Sequence, residues 1–251
     1  MYVVIVRRRV IVTICLCLAW LGVFGIVLAN LLPDRKLVVI DPGHGGIDGG
    51  TSSGGILEKN INLRMAHILR RVLEINQYRV IMTRTDDSDV TQFVPPGGSR
   101  YQRDLKGRVR LVGRVQPCSL ISLHVNWHQE AWRRGAIVYY QEGETAGRLL
   151  AELIQKELNS IQETQRQVRS ANFYVLRNTN APAVLIEMGF ISNPEDRRAL
   201  QDEAWLTRQA EAIMVGLEIF LQQTRCPPHG VPEGVPGTPK PGFSGRALAR
   251  M

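Results

Sequence analysis

The sequence predicts one α/β domain, a mixed and mostly parallel sheet with helices on both faces, preceded by an N-terminal transmembrane or signal helix. Three observations carry this. Short apolar runs of strand type alternate with amphipathic stretches of helical period, the pattern of a sheet covered by crossover helices. Residues 10–32 contain no charged side chain and follow Arg7, Arg8 and Arg9. No internal repeat is visible, so the middle of the 251-residue chain reads as a single catalytic-size unit. The expected partition is 1–33 as signal-anchor segment, 34–224 as domain and 225–251 as a disordered Pro/Gly-rich tail.

The uncharged run is long enough to span a bilayer, and the arginines before it favour an inside N-terminus with the remainder outside the cytoplasm. Val27-Leu28-Ala29 offers an alternative as a cleavage site. The first strand, Val38-Val39-Ile40, opens into Asp41-Pro42-Gly43-His44-Gly45-Gly46-Ile47-Asp48-Gly49-Gly50. Such a loop brings backbone close to a bound group. It lacks the Lys-Ser/Thr of a phosphate loop and the spacing of a dinucleotide fingerprint, which leaves a metal at His44 as the stronger reading.

A helix follows Leu57-Glu58-Lys59-Asn60, with Ile61, Met65, Ile68, Leu69 and Val72 on one face. Tyr78–Arg84 is the next expected strand. Residues 85–104, with Pro95-Pro96-Gly97-Gly98, are expected to form a mobile polar rim, and Leu105–Val115 a helix. Ser119–His124 reads as a strand, Gly135–Gln141 as another, and 144–159 as a helix through Leu149, Leu150, Leu153, Ile154 and Leu158. Residues 160–170 are expected as polar connection. Phe173–Leu176 and Ala183–Met188 are expected strands, Pro194-Glu195 starts a short helix, and 203–222 forms a closing helix with Ile213, Leu217 and Phe220 inward.

Net charge is +8, but it is concentrated at the ends. Between 33 and 224 there are 24 basic and 22 acidic residues, an ordinary surface that argues against a nucleic-acid partner. The four cysteines show no CxxC spacing, and no framework of bridges is expected.

Chemistry gathers at strand ends. His44 follows one strand, His124 ends a second, and Glu187 lies near the end of a third, while Glu58 starts the helix after the first loop. The carboxyl ends of strands in an open α/β sheet form the ligand crevice. Two imidazoles and a carboxylate make a catalytic metal set, and a further carboxylate can take a proton from water. His128 shares the alternation of His124 and rivals it, although the chain is expected to leave the strand there. His67 faces away from Glu58 on its helix.

Asp41-Pro42-Gly43-His44-Gly45-Gly46, Glu58, Ser122-Leu123-His124-Val125-Asn126 and Leu185-Ile186-Glu187-Met188-Gly189-Phe190-Ile191-Ser192-Asn193-Pro194 together resemble the zinc-dependent N-acetylmuramoyl-L-alanine amidases of the amidase-3 family. The likeness runs from Lys36 to Leu221. It implies one zinc per chain on His44, Glu58 and His124, with Glu187 as the catalytic carboxylate. It also implies peptidoglycan as substrate and an extracytoplasmic location, with targeting supplied by the N-terminal segment or by a partner protein that targets or activates. Within the family, the apolar N-terminus and the Gly135–Tyr140 segment are similar to the germination-specific branch acting on spore cortex, in the space between the membranes of the forming spore. A zinc peptidase on a related sheet, general wall turnover and a silent peptidoglycan-binding protein are the competing expectations. Trp127 departs from the family, which usually has a small residue there.

Overall fold

A computed structural model describes residues 36–226, together with Cys17, Leu18 and Trp20. Apart from Cys17, Leu18 and Trp20, the expected span at 10–32 lies outside the described residues, as does the expected tail from 227 onward. Among the described residues, no helix is long and apolar enough to cross a membrane.

The domain is a six-stranded sheet in the order β4-β1-β5-β8-β6-β7. Its strands are β1 (Leu37–Pro42), β4 (Arg79–Met82), β5 (Ser119–Asn126), β6 (Ile137–Tyr140), β7 (Arg169–Ser170) and β8 (Ala183–Phe190). A separate two-stranded hairpin comprises β2 (Ser52–Ser53) and β3 (Ile56–Leu57). The pairs β1–β4, β1–β5 and β5–β8 are parallel, whereas β6 runs antiparallel to β8 and carries β7 parallel to itself. The sheet is mixed and mostly parallel, as expected.

The central strands are apolar on both sides because both sides are covered. On one face Val38, Ile40, Ile121, Leu123, Val184 and Ile186 pack beneath α1 (Glu58–Ile75), α3 (Thr145–Ile161) and α6 (Glu203–Gln223). On the other, Leu37, Val39, Ile81, Leu120 and Leu185 meet α2 (Arg100–Val115) and the one-turn α4 (Tyr174–Arg177). The short α5 (Pro194–Ala199) follows β8, capped by the Asn193 side chain on the amides of Glu195 and Asp196.

Four expectations need correction. Phe173–Leu176 is not a strand: Phe173 is the N-cap of α4, and the apolar residues at this short run's ends, Val175 and Leu176, bury against the sheet from a helical turn. A short apolar run cannot distinguish the two. The 85–104 stretch is not loose throughout. Its Val90 is buried, its backbone N–H donates to Asp104, and α2 starts at Arg100 behind the Ser99 cap. Part of the polar connection at 160–170 pairs with β6 as the edge strand β7. Finally, Cys118 and Cys226 form a disulfide across 108 residues of sequence. Spacing alone could not reveal that pair, and it draws Cys226 out of the expected tail into contact with the core.

The packing of α6 on α3 requires Gly216, where an added Cβ would lie 2.6 Å from the Ile154 Cα. Gly216→Ala gains about 1 kcal/mol of helix propensity, but forcing the two helices apart costs about 1–3 kcal/mol or more. Urea denaturation is expected to show a net loss of stability; a gain would mean that the helices separate freely.

Candidate metal centre and active site

The centre is built at the carboxyl end of β1, β5 and β8. His44 stands two residues beyond β1 with φ of 62°, a left-handed conformation that costs a non-glycine residue energy unless its surroundings impose it. They do. The Gly43 amide donates to the Leu123 carbonyl, Gly45 and Asp48 exchange backbone hydrogen bonds, and Arg108 Nη2 donates to the His44 carbonyl at 2.6 Å. Gly43 can only be glycine, because a Cβ would fall 2.2 Å from the His124 ring.

Glu58 is the first residue of α1, delivered by the β2–β3 hairpin. Its amide donates to Thr51 and that of Lys59 to Gly49, so the glycine loop itself caps the helix. The buried Glu58 Oε1 lies 3.1 Å from His44 Nε2 and 3.0 Å from His124 Nδ1, and accepts from the Val125 amide at 3.0 Å. Oε2 accepts from the Thr51 amide at 2.9 Å. His44 Nδ1 faces Asp48 Oδ2 at 2.8 Å, which orients the ring so that Nε2 points at Glu58. The two imidazoles meet edge to face with centroids 5.0 Å apart. One ligand atom from each of His44, Glu58 and His124 lies within 4.8 Å of the others, and two imidazoles with one carboxylate suit a zinc-type ion.

The electrostatics fit a cation site. Burial opposes the charge on Glu58, yet hydrogen bonds and charge from His124 and His44 hold its carboxyl far below the usual range. Burial likewise pulls His44 down, but Glu58 and Asp48 outweigh it and raise its pKa to about 9. A metal here would take the place of bound protons.

Glu187 sits beside His124 in the β5–β8 register. Its Oε2 is sealed from solvent with no hydrogen-bond partner. Burial pushes its pKa up to about 7, His124 opposing and Glu58 adding to the rise. One edge thus holds two carboxylates of opposite character, one kept ionised by its partners and one pushed toward neutrality by burial.

Of the other histidines, His128 lies beyond β5, with Nδ1 accepting from the Glu130 amide at 3.0 Å. His67 contacts the Thr85 carbonyl on an exposed surface. Neither belongs to the cluster.

Sequence reasoning missed the residues that hold the loop. Asp41 is buried and takes Arg108 Nη1 at 2.6 Å, Thr83 Oγ1 at 2.6 Å and Ser122 Oγ at 2.8 Å. Arg108 also donates to the Pro42 carbonyl and pairs with Asp104. Arg84 donates to the carbonyls of Pro42, Gly43 and Lys59. A signal existed for Arg108: it occupies the same helical face as Leu111, Val112 and Val115, where a charge needs a buried partner.

Fold and site define a hydrolase with a metal-capable centre at the strand ends of an α/β sheet. Residues 38–219 match the Amidase_3 profile, N-acetylmuramoyl-L-alanine amidase. The chain belongs to that family and is an N-acetylmuramoyl-L-alanine amidase. It is 33% identical over 199 residues to the germination-specific N-acetylmuramoyl-L-alanine amidase of Bacillus subtilis, covering 77% of this chain and 83% of that protein. It is 37% identical over 192 residues to LytH of Staphylococcus aureus, described as a probable cell wall amidase, covering 74% of this chain and 58% of that one. The CwlD amidase of Clostridioides difficile, solved in complex with the GerS lipoprotein, superposes with a TM-score of 0.71 at 30% identity. That match covers 76% of this chain and all of the other.

Replacing Arg108 by Met leaves Asp41 charged, buried and short of its main partner. Loss of one member of such a pair costs about 3–5 kcal/mol. Chemical denaturation of the metal-free protein is expected to show a drop of that order; a change below about 1 kcal/mol would mean that Thr83 and Ser122 alone satisfy Asp41.

Proposed function

We propose that this chain uses one zinc ion to hydrolyse the amide between the lactyl group of N-acetylmuramic acid and the L-alanine of the stem peptide. In this reading His44, Glu58 and His124 hold the ion and Glu187 is the catalytic carboxylate, all within a catalytic domain spanning 34–224. The supporting observation is the shared contact of both imidazoles with Glu58 Oε1, beside a second carboxylate that has no partner. When bound, zinc supplies a Lewis acid that polarises the scissile carbonyl and acidifies water.

The rest falls to the protein's own groups. Asp48 fixes the His44 ring, and the amides of Thr51 and Val125 fix Glu58. Glu187, with a pKa raised toward neutrality, takes a proton from the attacking water and returns it to the departing L-alanine amine.

The likeness to the germination-specific amidase supports action on spore-cortex peptidoglycan, where stripping stem peptides prepares muramic acid for lactam formation. The charge-free 10–32 segment supports an extracytoplasmic position with a membrane anchor, and the CwlD–GerS complex supports an accessory protein as partner. The likeness to LytH favours a second reading, a general wall amidase. Mass analysis of digested peptidoglycan tests the chemistry. The expected products are peptides with a free L-alanine amine and glycan with intact lactyl acids; cleavage within the peptides would overturn the assignment. Deletion in a spore-former separates the two roles: loss of muramic lactam supports the cortex, chained vegetative cells the general wall.

Glu187→Gln is expected to retain zinc and lose about 10²-fold or more in turnover. Its effect on the metal-free protein has a definite sign. Because the folded pKa of about 7 exceeds the usual 4.5, the stability supplied by protonated Glu187 is full below 4.5 and lost as pH rises through 7. The melting temperature of the Gln variant should therefore gain on that of the wild type across this window. Parallel pH curves would show that Glu187 is not the buried group that titrates there.

A further inference from the structure

Beside Glu187 the same face of the sheet carries a row of side chains that the hydrolytic step does not use. Glu187 pairs in register with Ile137, Leu185 with Tyr139, and Tyr139 with Arg169. Residues in register across a sheet share a face, as do residues two apart on one strand. Glu187, Tyr139 and Arg169 therefore project to one side, from a catalytic edge to an open edge strand. Tyr139 interacts with Asn126, with Arg169 and with the charge of Glu187, and its ring is braced edge-on by Phe173.

Arg169 does not stand alone. Arg166 packs its guanidinium 6.0 Å from the Phe190 ring centre and donates through Nε to the Arg134 carbonyl at 2.9 Å. Burial pushes the Arg166 pKa down and the charge of Arg169 pushes it further, opposed by the charge of Asp196, with Arg133 adding to the fall. Arg133 is paired with Glu130, but Arg166 and Arg169 have no ion-pair partner among the described residues. Two guanidiniums without ion-pair partners whose charges act on each other raise the local positive potential, and an anion between them relieves it.

We propose that Arg169 and Arg166, with Tyr139, form an anion subsite that binds a free carboxylate of the stem peptide one to three residues beyond the scissile amide. This deepens the amidase reading and rests on it. The spacing agrees. Arg169 lies two strands from β8 at about 4.8 Å per strand and, in register with Leu185 through Tyr139, two residues along from Glu187, about 12 Å in all. An extended peptide advances about 3.3–3.6 Å per residue. A peptide whose first nitrogen lies at Glu187 and which runs outward across β6 brings its second to fourth residues over Tyr139 and Arg169. Carboxylate-rich stems are thereby selected over stems whose carboxylates are amidated.

The test compares two soluble muropeptides that differ only in whether the carboxyl of the second stem residue is free or amidated. The zinc-loaded enzyme is expected to favour the free acid by about tenfold or more in kcat/KM, mainly through KM, as a charge-assisted contact predicts. In Arg169→Gln this ratio should fall toward one, whereas Arg169→Lys should keep most of it. Melting curves establish that each variant is folded. A ratio near one in the wild type, or equal losses on both substrates in Arg169→Gln, overturns the subsite. Failure of the wild type to cut either substrate would instead overturn the amidase assignment beneath it.

Discussion

The site depends on the ion pair between Asp41 and Arg108. Asp41 ends the apolar part of β1, where a carboxylate pays a large desolvation cost, and Arg108 with Thr83 and Ser122 offsets it, so that the carboxyl titrates below its usual range. The same guanidinium reaches the carbonyls of Pro42 and His44, while Arg84 takes those of Pro42 and Gly43. Successive carbonyls of the loop thus point into two buried arginines. That arrangement holds His44 in its left-handed conformation and determines where its ring can go. The buried charges are costly as contributors to stability alone, and their value here lies in locking one conformation of the loop.

The two carboxylates show how environment assigns chemistry to identical groups. Glu58 is surrounded by donors on every side: two imidazoles and the amides of Thr51 and Val125. Glu187 lies toward the carboxyl end of β8 between the apolar Ile186 and Met188 and has a buried oxygen with nothing to accept from. The first is held as an anion before any ligand arrives. The second is held near the point where it can change state, and the two lie on neighbouring elements of one sheet edge.

Much of this was legible in the sequence. The positions of His44, His124 and Glu187 at strand ends followed from apolar runs stopping at polar residues, and the glycines around His44 announced a tight loop. The sheet order and the antiparallel turn of β6 were not legible, because pairing is decided between segments distant in the chain. Phe173–Leu176 misled because four apolar-rich residues have no measurable period. Arg108 escaped notice because an arginine in a basic, amphipathic stretch resembles solvated surface until its partner is known, and Arg84 because a cation at the end of a strand next to Asp86 and Asp87 reads as exposed. Cys118 and Cys226 escaped because connectivity depends on where α6 ends, which spacing does not report.

That disulfide gives the domain a polarity. Cys118 precedes β5 and donates its amide to Leu37 at the start of β1, while Lys36 Nζ reaches the Leu221 carbonyl near the end of α6. Both points at which the described chain enters and leaves, residues 36 and 226, are therefore gathered at the amino ends of the strands. His44, His124 and Glu187 occupy the opposite ends, about 20 Å away along a six-residue strand. Any tether attached through either end pulls on the pole remote from the chemistry. Neither residue 36 nor residue 226 crowds the catalytic edge, which stays open to a polymer too large to diffuse to it.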